Sequence, residues 1–147
     1  MITCIIKNNI NNEFIPDARS FDEWVNATGY KENVEINIKI VTPEEMIKFN
    51  TKYKNINKVT DTLAFPFEKL LIDNKIILGD IAMCANKINE DAELYNKSKT
   101  DRWAHLVIHS TLHLLGYTHD SKKNKKVMEE KEINLLKKFK ISNPYEQ

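Results

Sequence analysis

All four histidines of this chain fall within fifteen residues, His105, His109, His113 and His119, and the last three stand in the run H-S-T-L-H-L-L-G-Y-T-H. On a helix, His109 and His113 lie one turn apart on a single face, so their imidazoles can grip one ion together. Gly116 can take the left-handed conformation that stops a helix and turns the chain, which lets His119 approach the ion from outside the helix. Three nitrogens then converge and a fourth coordination position stays open. Structural zinc sites fill all four positions with protein ligands, whereas catalytic ones keep a place for water. Zinc in such a site lowers the pKa of its bound water to roughly 7, so the chemistry implied is metal-assisted hydrolysis. Other divalent transition ions also suit three imidazoles.

His105 continues the same stripe but cannot join the tripod. Its distance from His113 along a helix is about 12 Å at about 1.5 Å per residue, whereas ligand nitrogens sit about 2.1 Å from zinc. It is expected to be a packed histidine, buried or at the core boundary.

The elements that position these residues can be read from periodicity. Residues 2–6 suggest a strand. Ser20 and Glu23 form an S-x-x-E capping box for a helix that ends at Gly29. In VEINIKI, Val34, Ile36, Ile38 and Ile40 alternate with polar neighbours, as in a strand with one buried face. Thr42 as N-cap, Pro43 at the first helical position and Glu45 at the third open a helix whose apolar set, Met46, Ile47, Phe49 and Tyr53, is expected in the core. Leu63 to Phe67 is a short extended piece that Pro66 confines to an edge. Residues 75–84 form a strand in which Gly79-Asp80 marks a bulge or a close backbone approach. Helices follow at 86–97, at 101–115 with the histidines, and at 121–140. Trp103, Val107, Ile108, Leu112 and Leu115 should anchor the histidine helix. The order βαβαββααα predicts an α+β fold, one domain over residues 1–147 with a small mixed sheet packed by helices.

At 147 residues, 29% charged and 41% hydrophobic, the chain has globular composition and can bury about two-thirds of its unfolded surface. No stretch is apolar enough to span a bilayer. The opening MITCIIKNNI reads as a strand and not a signal peptide, and a cytoplasmic location is expected. Cys4 and Cys84 form no C-x-x-C pair and read as small buried hydrophobes. A net charge of +1 excludes global attraction to polyanions. Local lysine clusters remain, at Lys52, Lys54 and Lys58, at Lys122, Lys123, Lys125 and Lys126, and at Lys137, Lys138 and Lys140; such runs are usually solvated surface.

H-x-x-x-H-x-x-G-x-x-H is the spacing of the metzincin zinc peptidases, which carry a general-base glutamate directly after the first histidine. Here that place is Ser110, whose hydroxyl cannot take a proton at neutral pH. A peptidase would need a relocated base.

Three elements in order resemble another family. His109, Leu112, His113, Leu114, Gly116, Tyr117 and His119 fit an H-G-x-L-H-L-x-G-Y-D-H segment. Asn50, Tyr53, Thr60, Asp61, Leu63, Phe65 and Pro66 fit N-x-x-Y-R leading to T-D-V-L-S-F-P, and Leu78, Gly79, Asp80 and Ile81 fit L-G-D-I. On these residues the chain resembles the YbeY family of metal-dependent endoribonucleases. The resemblance implies a single-strand-specific nuclease acting in ribosomal RNA maturation and ribosome quality control, with ribosomal RNA, the small subunit and assembly factors as partners. It implies one Zn²⁺ on His109, His113 and His119, Lys54 neutralising charge on the phosphate, and Asp80 positioning water or bonding a ligand histidine. Three positions depart from the pattern: Lys54 replaces arginine, Ser110 glycine and Thr118 aspartate. Lysine is a compact point charge where arginine clamps through two parallel hydrogen bonds, so weaker activity is expected. The rival functions are a zinc peptidase and a non-catalytic, ribosome-associated protein with a structural zinc.

Overall fold

A computed structural model describes residues 1–146, the side chain of residue 69 excepted. The elements follow in the order β1 (Ile2–Lys7), α1 (Ala18–Asn26), β2 (Val34–Val41), α2 (Pro43–Lys54), β3 (Thr62–Ile72), β4 (Lys75–Cys84), α3 (Ala85–Leu94), α4 (Lys99–Leu114) and α5 (Lys122–Lys137). The α+β order expected from periodicity is the one observed. One mixed sheet has strand order β1-β2-β4-β3; β1 and β4 run parallel to β2, while β3 pairs antiparallel with β4 at the edge. Pro66 lies on this edge strand, where its missing N–H costs no internal ladder bond.

The two faces of the sheet are covered unequally. Ile36, Ile38, Ile81 and Met83 join Trp103, Val107, Ile108 and Leu112 of α4 in the main core. Val41, Leu63, Ala82 and Cys84 form a smaller cluster with Met46 of α2 on the other face. Helix α4 packs directly on β3 and β4 and is itself flanked by α1, α3 and α5. It is thereby held on several sides, with His109 and His113 left half-buried at its C-terminal end.

The α2 N-terminus forms as its residues dictate: Thr42 Oγ1 accepts the Glu45 N–H at 3.1 Å, the Glu45 carboxylate accepts the Thr42 N–H at 3.2 Å, and Pro43 opens the helix. Elsewhere the expected boundaries move. The α1 cap is Asp17, whose carboxylate accepts the Ser20 N–H at 2.9 Å, and the helix ends at Asn26. Tyr53 is 54% exposed, and Leu114 rather than Leu115 is buried at the end of α4. The β3 strand runs to Ile72, well past Phe67.

Gly79 meets both expectations placed on it. The β2–β4 register passes from Glu35 opposite Ile77 to Ile36 opposite Gly79, so Leu78 is the extra residue of a bulge. A Cβ on Gly79 would lie 2.3 Å from the Phe65 carbonyl oxygen and 2.8 Å from Leu114 Cδ2. The last turn of the histidine helix rests against this bare backbone.

Candidate metal centre

The end of α4 is closed by a Schellman arrangement. The Tyr117 N–H donates to the Leu112 carbonyl at 3.0 Å and the Gly116 N–H to the His113 carbonyl at 3.1 Å, with Gly116 in left-handed backbone at φ 100°. The turn also orients a ligand: the Tyr117 carbonyl accepts a hydrogen bond from His113 Nδ1–H at 3.0 Å, so Nε2 of His113 points into the cleft. Beyond the turn, Asp120 accepts from Thr118 Oγ1 at 2.9 Å and from Asn124 Nδ2 at 2.8 Å, and Ser121 caps α5. These bonds hold the short segment that carries His119.

His109 is oriented from α5. Its Nδ1–H donates to Glu132 Oε1, and the other oxygen of that carboxylate accepts the Tyr145 hydroxyl. Glu132 is fully buried. Burial alone would raise its pKa, but the hydrogen bond and charge of His109 outweigh this and hold it below the ordinary carboxylate value. Burial and the hydrogen bond to Glu132 push the Tyr145 phenol up. His105, 8% exposed, packs behind this pair with Nε2 3.2 Å from the Tyr145 hydroxyl, and burial lowers its pKa to about 4. It is the packed neutral histidine that its position along the helix suggests.

Both Nδ1 protons of the i,i+4 pair are therefore donated away from the cleft, one to Glu132 and one to Tyr117. Both Nε2 atoms then present lone pairs, and they face each other at 3.1 Å. Two nitrogens each about 2.1 Å from a tetrahedral ion stand roughly 3.4 Å apart, so the pair is spaced for a shared cation. Burial, followed by the neighbouring charges of His109 and His119, lowers the His113 pKa to about 4, which keeps its lone pair free at neutral pH. The His119 ring centroid is 4.7 Å from that of His113 and 6.0 Å from that of His109. Ligand atoms of His109, His113 and His119 all lie within 4.8 Å of one another. Among the described residues a second set, His105, His109 and Glu132, meets the same spacing and can also hold a metal. In that set the Glu132 carboxylate already accepts the His109 proton, which favours the three-histidine set as the site.

The histidines open onto a cleft of about 400 Å³ that Lys54, Asp61 and Ser110 also line. Lys54 comes from the last turn of α2, which Asn55 stops in left-handed backbone at φ 55°. Asn50 shapes this corner, its buried amide donating to the Lys58 carbonyl at 2.8 Å and to Thr60 Oγ1 at 3.0 Å. Asp61 takes the Arg102 guanidinium at 2.8 Å and the Thr62 N–H at 2.7 Å. The buried Ser110 hydroxyl, in the place of the peptidase glutamate, lies 2.9 Å from Thr62 Oγ1 and ties α4 to β3.

Asp80 is not brought to the histidines. Along β4, Gly79 and Ile81 face α4, so alternation turns Asp80 with Ala82 to the α2 face, where it accepts the Asn37 amide at 3.0 Å and lines a different cleft. Glu132 and Tyr145, conversely, are site residues that spacing did not reveal. Glu132 carried a usable signal: it shares the apolar stripe of Met128, Leu135 and Leu136 on α5, and a carboxylate there needs a buried partner.

Among the described residues, no helix is long and apolar enough to cross a membrane. The family model described as Endoribonuclease YbeY matches residues 6–140. Endoribonuclease YbeY of Buchnera aphidicola subsp. Schizaphis graminum is 41% identical over 147 residues, covering 99% of this chain and 93% of that protein. The namesake from Psychromonas ingrahamii is 37% identical over 137 residues, 89% of this chain and 87% of its own. A solution structure from Thermotoga maritima matches the fold with a TM-score of 0.63 over 100% of both chains, at 22% identity. A match this long in sequence, over a fold shared from end to end, places the chain in the endoribonuclease YbeY family.

Proposed function

We propose that this chain is a metal-dependent, single-strand-specific endoribonuclease of ribosomal RNA maturation and quality control, acting in the cytoplasm on RNA of the small subunit alongside assembly factors. The observation that carries the reading is the pair of inward-facing Nε2 atoms of His109 and His113, 3.1 Å apart, beside a cleft that also holds a lysine. His109, His113 and His119 would hold the ion, and an all-imidazole set suits zinc. When bound, such an ion supplies Lewis acidity toward a phosphodiester oxygen and toward solvent.

The side chains of this protein account for the rest. Glu132 and the Tyr117 carbonyl keep the two α4 imidazoles in the tautomer that presents Nε2 to the cleft. Lys54 places a positive charge where a phosphate beside the histidines gains negative charge during cleavage. Ser110, paired with Thr62, is a hydroxyl too weakly basic to serve as general base at neutral pH, which disfavours peptide hydrolysis. Asp80, on the other face of the sheet, stays outside this chemistry.

The test is elemental analysis of the purified protein combined with cleavage assays on single-stranded RNA, duplex RNA and mixed peptides, each with and without chelator. Expected are one transition ion per chain, chelator-sensitive cleavage of single-stranded RNA, and an apoprotein that stays folded by circular dichroism. Cleavage of peptides alone would establish the peptidase instead. Unfolding on chelation, with no RNA cleavage by the holoprotein, would establish a structural metal.

A further inference from the structure

We propose that the cleft on the α2 face of the sheet is a subsite for an unpaired base of the same RNA strand that is cut at the histidines, an inference that rests on the nuclease reading above. The cleft measures about 370 Å³, within the range of about 300–1,000 Å³ typical of small-molecule sites. Its wall is an aromatic cluster: Tyr53 lies 4.9 Å from Phe65 and 6.4 Å from Phe49, ring centre to ring centre, and Phe49 lies 6.2 Å from Phe65. Tyr53 is more than half exposed, so a planar partner can reach its ring from solvent.

Cations rim this cleft. Lys7 and Lys39 line it, Lys39 being shared with Glu45 at 3.4 Å and standing 6.0 Å from the Phe49 ring, while Lys52 Nζ lies outside the lining, 5.2 Å over the Tyr53 ring centre. The Asn37 amide and the Asp80 carboxylate, bonded at 3.0 Å, add the donor and acceptor types that read a base edge. Stacking faces, lysines and a polar pair together describe single-strand nucleic-acid binding; an apolar protein segment would need neither the lysines nor the amide–carboxylate pair.

The two clefts share their walls, which is why one strand can occupy both. Alternation along β3 sends Ala64 and Pro66 to the histidine cleft and Phe65 and Phe67 to the aromatic one, while the consecutive residues Tyr53 and Lys54 serve one cleft each. Because β3 is the edge strand, RNA can pass over it from one face to the other without crossing the sheet.

The experiment is fluorescence anisotropy of the holoprotein with a short single-stranded 2′-O-methyl RNA, which resists cleavage, against a set of the same strand carrying one abasic position in turn. Tyr53→Ala should weaken binding of the intact strand about tenfold, and Tyr53→Phe should retain it. At one position, the abasic change should weaken binding to the unaltered protein by the same factor and add nothing in Tyr53→Ala. Equal weakening of every strand by Tyr53→Ala, no weakening, or a peptide that binds the cleft without competing with RNA would overturn the subsite. Cleavage is scored separately. Metal-dependent cleavage without base-dependent binding refutes only the subsite, whereas base-dependent binding without cleavage refutes only the nuclease reading.

Discussion

Glu132 accepts the Nδ1 proton of His109 from a fully buried position, and this one contact decides which nitrogen of the imidazole faces the cleft. The carboxylate is also the charge that makes that ring a better electron donor. Glu132→Gln keeps the shape and an acceptor oxygen but removes the charge. Metal affinity should fall about 10- to 100-fold, read by competition with a chromophoric chelator, while circular dichroism stays unchanged. Unaltered affinity would mean that the contact serves only to dock α5 on α4.

Lys54 tests the charge requirement of the cleft independently of the ion. It is exposed at the end of α2 and touches none of the histidines' hydrogen-bond partners, so its removal should leave metal content intact. Lys54→Ala should lower kcat on single-stranded RNA about 10- to 100-fold. Lys54→Arg should preserve or raise it, because a guanidinium can hold two phosphate oxygens where an ammonium holds one point. A fall with arginine would show that the cleft is shaped around the shorter cation.

How far the sequence discloses this molecule depends on whether the relevant contact is local. The β2 strand, the Thr42–Glu45 capping box and the turn at Gly116 are decided within a few residues, and all form as read. The metal-site face is similarly local, since i,i+4 spacing holds on any helix. Competing local signals explain the misplaced α1 cap, where Asp17 three residues before Ser20 offers the stronger acceptor. Glu132 lies 23 residues from His109, and Tyr145 lies 40 from His105. Those contacts exist only once α4, α5 and the C-terminal segment have packed. Asp80 departs from its expected place at the histidines for a related reason: its motif sits beside a bulge, and which face it takes depends on β4's pairing with β2 and β3.

The two free cysteines should behave as inert thiols. Burial, then the charge and hydrogen bond of Asp22, push the Cys4 thiol from 9.0 up to about 12, and burial raises Cys84. At pH 8 a disulfide reagent should label neither in the native protein and both in denaturant. The sign for stability follows from the raised values: the folded chain keeps protons that the unfolded chain releases above pH 9.0. The contribution of Cys4 to stability should therefore be constant below that pH and be lost between pH 9.0 and about 12. Rapid native labelling at pH 8 would show these thiols to be far more open than their packing indicates.

Gly79→Ala links the fold to the site most directly. The added methyl would stand 2.3 Å from the Phe65 carbonyl and 2.8 Å from Leu114. Leu114 can shift as a side chain, but the Phe65 oxygen belongs to the backbone of β3, opposite the Gly79–Asp80 segment of β4. Relief of the Phe65 contact requires separating two paired strands, and where Leu114 does not rotate away the last turn of α4, which carries His113, is lifted as well. Overpacking of this kind costs about 3 kcal/mol, which for a chain of this size lowers Tm by about 6–12 °C. Because the strain lies under the ligand turn, metal affinity should fall as well, which ordinary destabilisation far from the site would not cause. Calorimetry and chelator competition on the same variant separate the two effects. A lowered Tm with unchanged metal affinity would mean that the strands yield and the helix stays in place.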